Sequence, residues 1–276
     1  MHSFIKFPII ESVPFINLWN PYTVKPNIPY YTSFGPIELW VKRSHQDWYV
    51  ATSRPSEESP ARPLGPLPKG RDLSSLDWKR WVSVEEALSI RFIPALPDRS
   101  VVFRPQFPIN VPQNQNLVFF INVPLWIRVR AGDSDGLDLW EVPSIVLSNT
   151  WFGDPTIGEL CYDLKTHVMR NLEEVPNLPY TATCPININN QASTDLDFQR
   201  LCIRVEHLHV YQGKERLWTN QVEVVFKGED LNSQINIQKY APNYEQTSER
   251  LCAARQPVDK SLLKRSFYAL RTLTGF

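Results

Sequence analysis

Glycine is scarce in this chain, with 10 Gly against 24 Pro in 276 residues. Few glycines leave little room for phosphate-cradling loops, and the sequence contains neither a Walker loop nor a Rossmann glycine fingerprint. It also lacks the G-x-S-x-G nucleophile elbow. Because proline lacks an amide proton and clashes inside helices, the ratio argues against a helical bundle. These absences favour a β-rich protein that is not a conventional enzyme, and no motif implies a cofactor.

Net charge and long apolar runs are also missing. Lys plus Arg and Asp plus Glu both number 29, so no basic excess points to a nucleic-acid partner. No stretch approaches the ~18 uninterrupted apolar residues of a membrane-spanning helix. Lys6, Pro8, Glu11 and Pro14 interrupt the first residues, which therefore lack the apolar region of a signal peptide. We expect a soluble, cytoplasmic protein.

The four cysteines contain no C-x-x-C pair and no close spacing. Each lies in an apolar or strand-like context, as in Leu160-Cys161-Tyr162. Free cysteine often behaves as a small buried hydrophobe. The pattern predicts that Cys161, Cys184, Cys202 and Cys252 are reduced core residues.

What the sequence does contain is a series of short alternating segments. Apolar residues occupy every odd position from 117 to 129, which is the period of a half-buried strand. Pro124 predicts a break, a bulge or an edge position within that run. A hairpin is predicted over 37–50, with its turn at 44–46. Further strands are predicted at 139–147, 160–169, 201–211, 217–226 and 231–240. Together they indicate an all-β fold, mainly an antiparallel β-sandwich or open barrel.

Four regions follow from the changes in composition. Residues 1–54 are expected to be an N-terminal hairpin region packed on the main body. Residues 55–76 carry five prolines and two glycines, and predict a stiff loop or linker. Residues 77–257 would be the β-sandwich body. Residues 258–276 predict one C-terminal amphipathic α-helix.

This helix is predicted from a change of period to three and four residues. The apolar face would consist of Leu263, Phe267 and Leu270, and the basic face of Lys260, Lys264 and Arg271. The helix could dock on the β body or on a second protomer through its apolar face. Alternatively, it could lie on an anionic membrane surface.

The segment 148–159 predicts a polar and aromatic loop between two strands. Trp151 and Phe152 could stack on a sugar or a base, while Asn149, Asp154 and Glu159 could hydrogen-bond to it. The alternative is a packed loop whose aromatic residues plug the core.

His207 and His209 form the best metal-like pair, since an i, i+2 spacing on a strand points both rings to one side. Zinc would need further ligands, and nothing in the sequence places another histidine nearby. Ordinary hydrogen-bonded histidines are the alternative interpretation.

Several motifs together resemble a known family. They are Pro108, Pro124, the Trp151-Phe152-Gly153 loop, the stretch Gly158 to Tyr162, the run Cys184 to Asn190 and the strand 201–211. In this order they resemble the prokaryotic domain-of-unknown-function 432 family over roughly residues 34–240. The resemblance implies a β protein of bacteria and archaea, and it implies no activity.

The leading hypothesis is a non-enzymatic β-rich binding or assembly protein, which associates with itself or with a protein partner. Its many aromatic residues are the usual anchors of protein interfaces. Three alternatives remain open. They are a carbohydrate- or small-ligand-binding β-sandwich using the 148–159 loop, a small β-type metal-dependent hydrolase, and a membrane-peripheral protein that binds through the C-terminal helix.

Overall fold

The computed structural model describes residues 18–67, 72–82, 87–166, 168–198, 200–228 and 234–258. Strands dominate, and their sheets are mainly antiparallel, which confirms the predicted all-β class. Short 3-10 helices lie at Leu172–Glu174 and Val205–His207. In this part of the chain, no helix is both long and apolar enough to cross a bilayer. The C-terminal helix was predicted over residues 258–276, and all of these except Val258 lie outside the described residues.

The chain divides into two compact units. The first comprises residues 1–92 and 130–139, and the second comprises 93–129 and 140–276. The division therefore does not fall in the Pro-rich segment 55–76. The chain passes between the units within three strands rather than within a linker.

The first unit contains a five-stranded sheet with the order β5-β2-β3-β4-β6. The strands that begin within residues 1–92 are β1 (Tyr22–Thr23), β2 (Tyr30–Gly35), β3 (Glu38–Arg43), β4 (Asp47–Ser53), β5 (Ser59–Pro66), β6 (Lys79–Val82) and β7 (Ser89–Ala95). The predicted hairpin over 37–50 is confirmed by the antiparallel pair β3–β4. Its turn is closed by Ser44, whose Oγ accepts a hydrogen bond from the Asp47 amide at 3.1 Å.

The Pro-rich segment differs from the predicted loop, because Ser59–Pro66 forms strand β5. It pairs antiparallel with β2 and lies at the edge of the sheet. An edge strand tolerates proline, since one row of its backbone groups needs no partner strand. Side chains of β2 strengthen the pairing: the Thr32 hydroxyl donates to the carbonyl of Arg62 at 2.6 Å, and Ser33 donates to that of Pro60.

The second unit holds the rest of the strands. They are β8 (Val101–Arg104), β9 (Ile109–Val111), β10 (Asn116–Pro124), β11 (Trp126–Ala131), β12 (Leu137–Pro143), β13 (Ser148–Phe152), β14 (Glu159–Lys165), β15 (Thr181–Asn190), β16 (Leu196–Phe198), β17 (Leu201–Ile203), β18 (Val210–Gly213), β19 (Leu217–Thr219), β20 (Val222–Phe226), β21 (Gln234–Ile237) and β22 (Thr247–Cys252). Strands β7, β11 and β12 continue from one unit into the other. A seven-stranded sheet has the order β21-β20-β15-β19-β18-β22, with β10 also paired to β15.

The predicted interruption at Pro124 is confirmed. Strand β10 ends at Pro124 and β11 begins at Trp126. Between them, the Leu125 amide donates to the carbonyl of Tyr180 at 2.9 Å, and the Leu125 carbonyl accepts from the Ser144 amide at 2.8 Å. The backbone of the break is therefore hydrogen-bonded, as buried polar groups require.

Candidate functional site

The site lies on a four-stranded sheet of the second unit with the order β13-β14-β8-β17. Strands β13 and β14 form an antiparallel hairpin, β14 runs parallel to β8, and β17 runs antiparallel to β8. The segment 148–159, predicted as a loop, is thus half strand, and residues 153–158 form the turn between β13 and β14. Because side chains alternate along a strand, the hairpin presents two faces of different character.

The turn satisfies most of its own polar groups. The carbonyl of Asp154 accepts hydrogen bonds from the Trp151 indole at 3.0 Å and from the Gly158 amide at 2.7 Å. The Asp154 carboxylate accepts from the hydroxyl and the amide of Thr156, at 2.6 and 2.8 Å. These two donors lower the pKa of Asp154 below its usual value. Of the groups predicted to bind a ligand, the Trp151 indole N–H and the Asp154 carboxylate are therefore used within the turn.

The five predicted ligand residues do not come together on one face. Asn149 and Trp151 are exposed on one side of β13. Phe152 is buried on the other side, in a core cluster with Val102, Cys161 and Cys202. Glu159 forms an ion pair with Arg204 at 2.8 Å. The alternative prediction, in which the aromatic residues of this segment plug the core, thus applies to Phe152 but not to Trp151, which faces solvent.

The exposed side of the hairpin carries large apolar side chains beside Asn149. Trp151 and Leu160 lie directly opposite each other, and each is 46% exposed. Ile157, in the turn between them, is 83% exposed. We call these three side chains the hairpin patch. A surface of this composition suits a protein contact better than a sugar, whose hydroxyls need hydrogen-bond partners.

The opposite side of the hairpin carries a pair of buried thiols. Cys161 on β14 is fully buried, Cys202 on β17 is 2% exposed, and their Sγ atoms are 4.0 Å apart. Glu159 Oε1 lies 3.9 Å from the Cys202 Sγ. The hydrogen bond between the thiols and their burial raise the pKa of Cys202. All four cysteines are free and buried, as predicted.

A buried row of charged groups continues from this pair. Arg204 lies between Glu159 and Glu206, with its Nη1 3.6 Å from Glu206 Oε1. The same oxygen accepts a hydrogen bond from the Ser100 hydroxyl at 3.0 Å. Glu206 is 5% exposed, and its Oε2 has no hydrogen-bond partner. Burial raises the pKa of Glu206, and Ser100, Arg204 and His207 only partly offset this effect.

The histidine pair is not formed, because the predicted strand 201–211 is broken. Strand β17 ends at Ile203, and His207 lies in the 3-10 helix that follows. His207 Nδ1 lies 3.2 Å from the carbonyl of Gln256, whereas His209 Nδ1 accepts from the Ala254 amide at 2.9 Å. Each ring is thus held by a separate backbone group.

A different group has the spacing of metal ligands. Within the described ranges, the cluster of His, Cys, Asp or Glu side chains close enough to share an ion consists of Glu159, Cys161 and Cys202. We call it the thiol cluster. Sequence reasoning missed it because Cys202 lies 41 residues from Cys161. Only the pairing of β14 and β17 with β8 brings the two thiols together.

The sheets and this site define a mainly antiparallel all-β protein with a buried thiol cluster beneath an exposed hairpin. The chain belongs to the family described as Protein of unknown function (DUF432), whose family model matches residues 18–271. This confirms the resemblance and extends it beyond residues 34–240 on both sides. No curated protein and no solved structure matches the chain.

Proposed function

We propose that the protein is a non-enzymatic assembly protein that pairs with a second copy of itself through the β13–β14 hairpin. The observation that carries this proposal is the hairpin patch, in which Trp151 on the edge strand β13, Leu160 opposite it on β14 and Ile157 in the turn between them are exposed together. Large apolar side chains that are exposed together mark interaction surfaces, and tryptophan is enriched among the residues that anchor interfaces.

The character of strand β13 favours a second copy as the partner. Ser148–Phe152 contains no charged residue and no proline, although β13 lies at the end of its sheet. Edge strands are usually protected by such residues, as β5 is by prolines and β6 by Lys79 and Arg80. Antiparallel pairing of β13 with its own copy about Thr150 would bring no like charges opposite each other.

The alternatives have less support from the same residues. A sugar site in the 148–159 segment would need the carboxylates of Asp154 and Glu159 as hydrogen-bond acceptors. These carboxylates already bind Thr156 and Arg204, respectively. A hydrolase that uses His207 and His209 would need the two rings at one metal, and they bind separate backbone groups. A membrane role for the C-terminal helix falls outside the described residues and stays a prediction.

The first experiment is light scattering coupled to native mass spectrometry on the untagged chain and on Trp151→Lys. We expect the unmodified chain to be a dimer, and the lysine to weaken the dimer at least about tenfold, because it charges the centre of an apolar contact. Phe107→Lys is the matched control, since Phe107 is 72% exposed and is part of neither β13, β14 nor their turn; it should leave the dimer unchanged. A monomeric wild-type chain would contradict the proposal.

A further inference from the structure

The thiol cluster carries a second inference, which goes beyond the proposed assembly role and does not depend on it. We propose that Glu159, Cys161 and Cys202 form a binding site for a thiophilic divalent metal of the Zn²⁺ type. Two thiolates and one carboxylate are ligands that zinc takes in proteins, and three protein ligands leave a fourth position for water or another small donor.

The distances between the donor atoms suit such an ion. Zinc binds thiolate at about 2.3 Å and carboxylate at about 2.0–2.2 Å. At tetrahedral angles these bonds place two sulfurs about 3.8 Å apart, and a sulfur and an oxygen about 3.6 Å apart. The corresponding distances here are 4.0 Å between Cys161 Sγ and Cys202 Sγ and 3.9 Å between Cys202 Sγ and Glu159 Oε1. These two separations are within a few tenths of an ångström of the expected values, and all three donor atoms lie within 4.8 Å of one another.

A disulfide is the competing use of two neighbouring thiols, and the sheet opposes it. Cys161 and Cys202 lie on strands that flank β8 rather than on adjacent strands. Their Sγ atoms are 4.0 Å apart, whereas a disulfide bond is about 2.0 Å long. The sulfurs would therefore have to approach each other by about 2 Å across β8 to form a disulfide. An ion placed between the sulfurs bridges the existing gap.

The charge of the buried cluster also suits a divalent ion. With neutral thiols, the charges of Glu159 and Arg204 cancel. Binding of a divalent cation releases one proton from each thiol, because thiolate is the ligand form. Two protons thus leave as two positive charges enter, and the net charge of the buried site stays the same. Burying an uncompensated charge would be strongly unfavourable.

Arg204 acts in this scheme as a positioning residue. It holds Glu159 at 2.8 Å and is itself close to Glu206 at 3.6 Å. Arg204 and the Cys202 thiol both lie against Glu159 Oε1. An oxygen with two lone pairs, or a small rotation that brings up Oε2, lets Glu159 bind Arg204 and the metal together, as ligating carboxylates commonly do with outer partners. The Glu159 side chain is 34% exposed, which provides an entry path to the otherwise buried thiols.

The test is metal binding by the full chain, purified under reducing conditions and stripped with a chelator. Titration with Co²⁺ should give one ion per chain, with a thiolate-to-cobalt charge-transfer band and the intense visible bands of tetrahedral cobalt. Zn²⁺ should displace the cobalt. X-ray absorption of the zinc-loaded wild-type chain should show two sulfur ligands at about 2.3 Å, which needs no variant to fold.

Variants then assign the ligands. Cys202→Ser should abolish the charge-transfer band, and Glu159→Gln should weaken affinity at least about tenfold. Cys252→Ser changes a buried cysteine outside the cluster. It should leave the charge-transfer band and the metal affinity unchanged. The proposal is overturned by a wild-type chain that binds no stoichiometric Co²⁺ or Zn²⁺, or by an absorption spectrum without sulfur ligands. Ready formation of a Cys161–Cys202 disulfide in the native chain would also overturn it.

Discussion

At the scale of single residues, Glu206 is a carboxyl group in surroundings that oppose its charge. It is 5% exposed, and one of its oxygens has no hydrogen-bond partner. Ser100 donates to the other oxygen, and Arg204 and His207 are the charged or titratable groups near it. An ionised carboxylate with an unpartnered buried oxygen loses solvation that these neighbours do not fully replace.

The stability of the protein should therefore depend on pH through Glu206. Because the pKa of Glu206 in the folded state is raised, the folded chain holds this proton more tightly than the unfolded chain does. Protonated Glu206 contributes its full stability when the pH is below its pKa in the unfolded state. This contribution is lost as the pH rises through its pKa in the folded state. We expect the free energy of unfolding of Glu206→Gln, relative to that of wild type, to increase as the pH rises from about 4 to about 7. Urea unfolding of both proteins measures this, and an equal difference at both pH values would contradict it.

At the scale of elements, the hairpin β13–β14 depends on one glycine. A Cβ at Gly158 would lie 2.5 Å from the Trp151 indole nitrogen and 2.6 Å from the Asp154 carbonyl oxygen. Both distances are too short for a carbon atom. Only glycine therefore lets the turn close against the indole that donates to Asp154.

Gly158→Ala should consequently open the turn and destabilise the second unit. We expect a loss of about 1–3 kcal/mol in the free energy of unfolding, as for an overpacked site, measured by urea denaturation. Gly65→Ala is the control, because a Cβ at Gly65 meets no atom within 4 Å. If both variants lose the same stability, the close contact at Gly158 is not the cause.

The elements also show how far local patterns determine this fold. The hairpin β3–β4, the break at Pro124 and the burial of the cysteines follow from alternation and from residue chemistry within a few positions. The prediction of a continuous loop over 55–76 was wrong, because Ser59–Pro66 forms an edge strand. An edge strand accepts prolines that a central strand would reject. Period-two alternation identifies the two faces of a strand, but it does not identify the neighbouring strand.

The same limit explains why the candidate site was only partly predicted. Trp151 and Glu159 were singled out, but as members of one loop, whereas the hairpin places them on opposite faces. The thiol cluster needs the parallel pairing of β14 with β8 and the antiparallel pairing of β17 with β8. Pairings between strands so distant in sequence leave no local pattern.

At the scale of the whole molecule, the chain crosses between the two units three times, and each crossing lies inside a strand. The division falls between Phe92 and Ile93, inside strand β7. Residues 130–139 belong to the first unit although they follow part of the second in the chain. Within the first unit, the Gly132 amide donates to the carbonyl of Ser89 at 2.9 Å, which joins this insertion to β7.

We therefore expect that neither unit folds when the chain is cut once. Fragments 1–92 and 93–276 would each contain half of β7, and the first would lack residues 130–139. Each fragment should show no cooperative thermal transition by circular dichroism, whereas the intact chain should show one, because independent folding requires a complete core. A sharp transition in either isolated fragment would refute this expectation.

The central position of β8 has a further consequence for the newly made chain. Val101 and Val102 are fully buried in the finished sheet, between β14 and β17. The ribosome makes β17 roughly 100 residues after β8, which at about 5–20 residues per second takes roughly 5–20 s. For that interval an apolar strand emerges without one of its neighbours. During synthesis, this short segment is the natural place for a chaperone to bind, and for two nascent chains to aggregate.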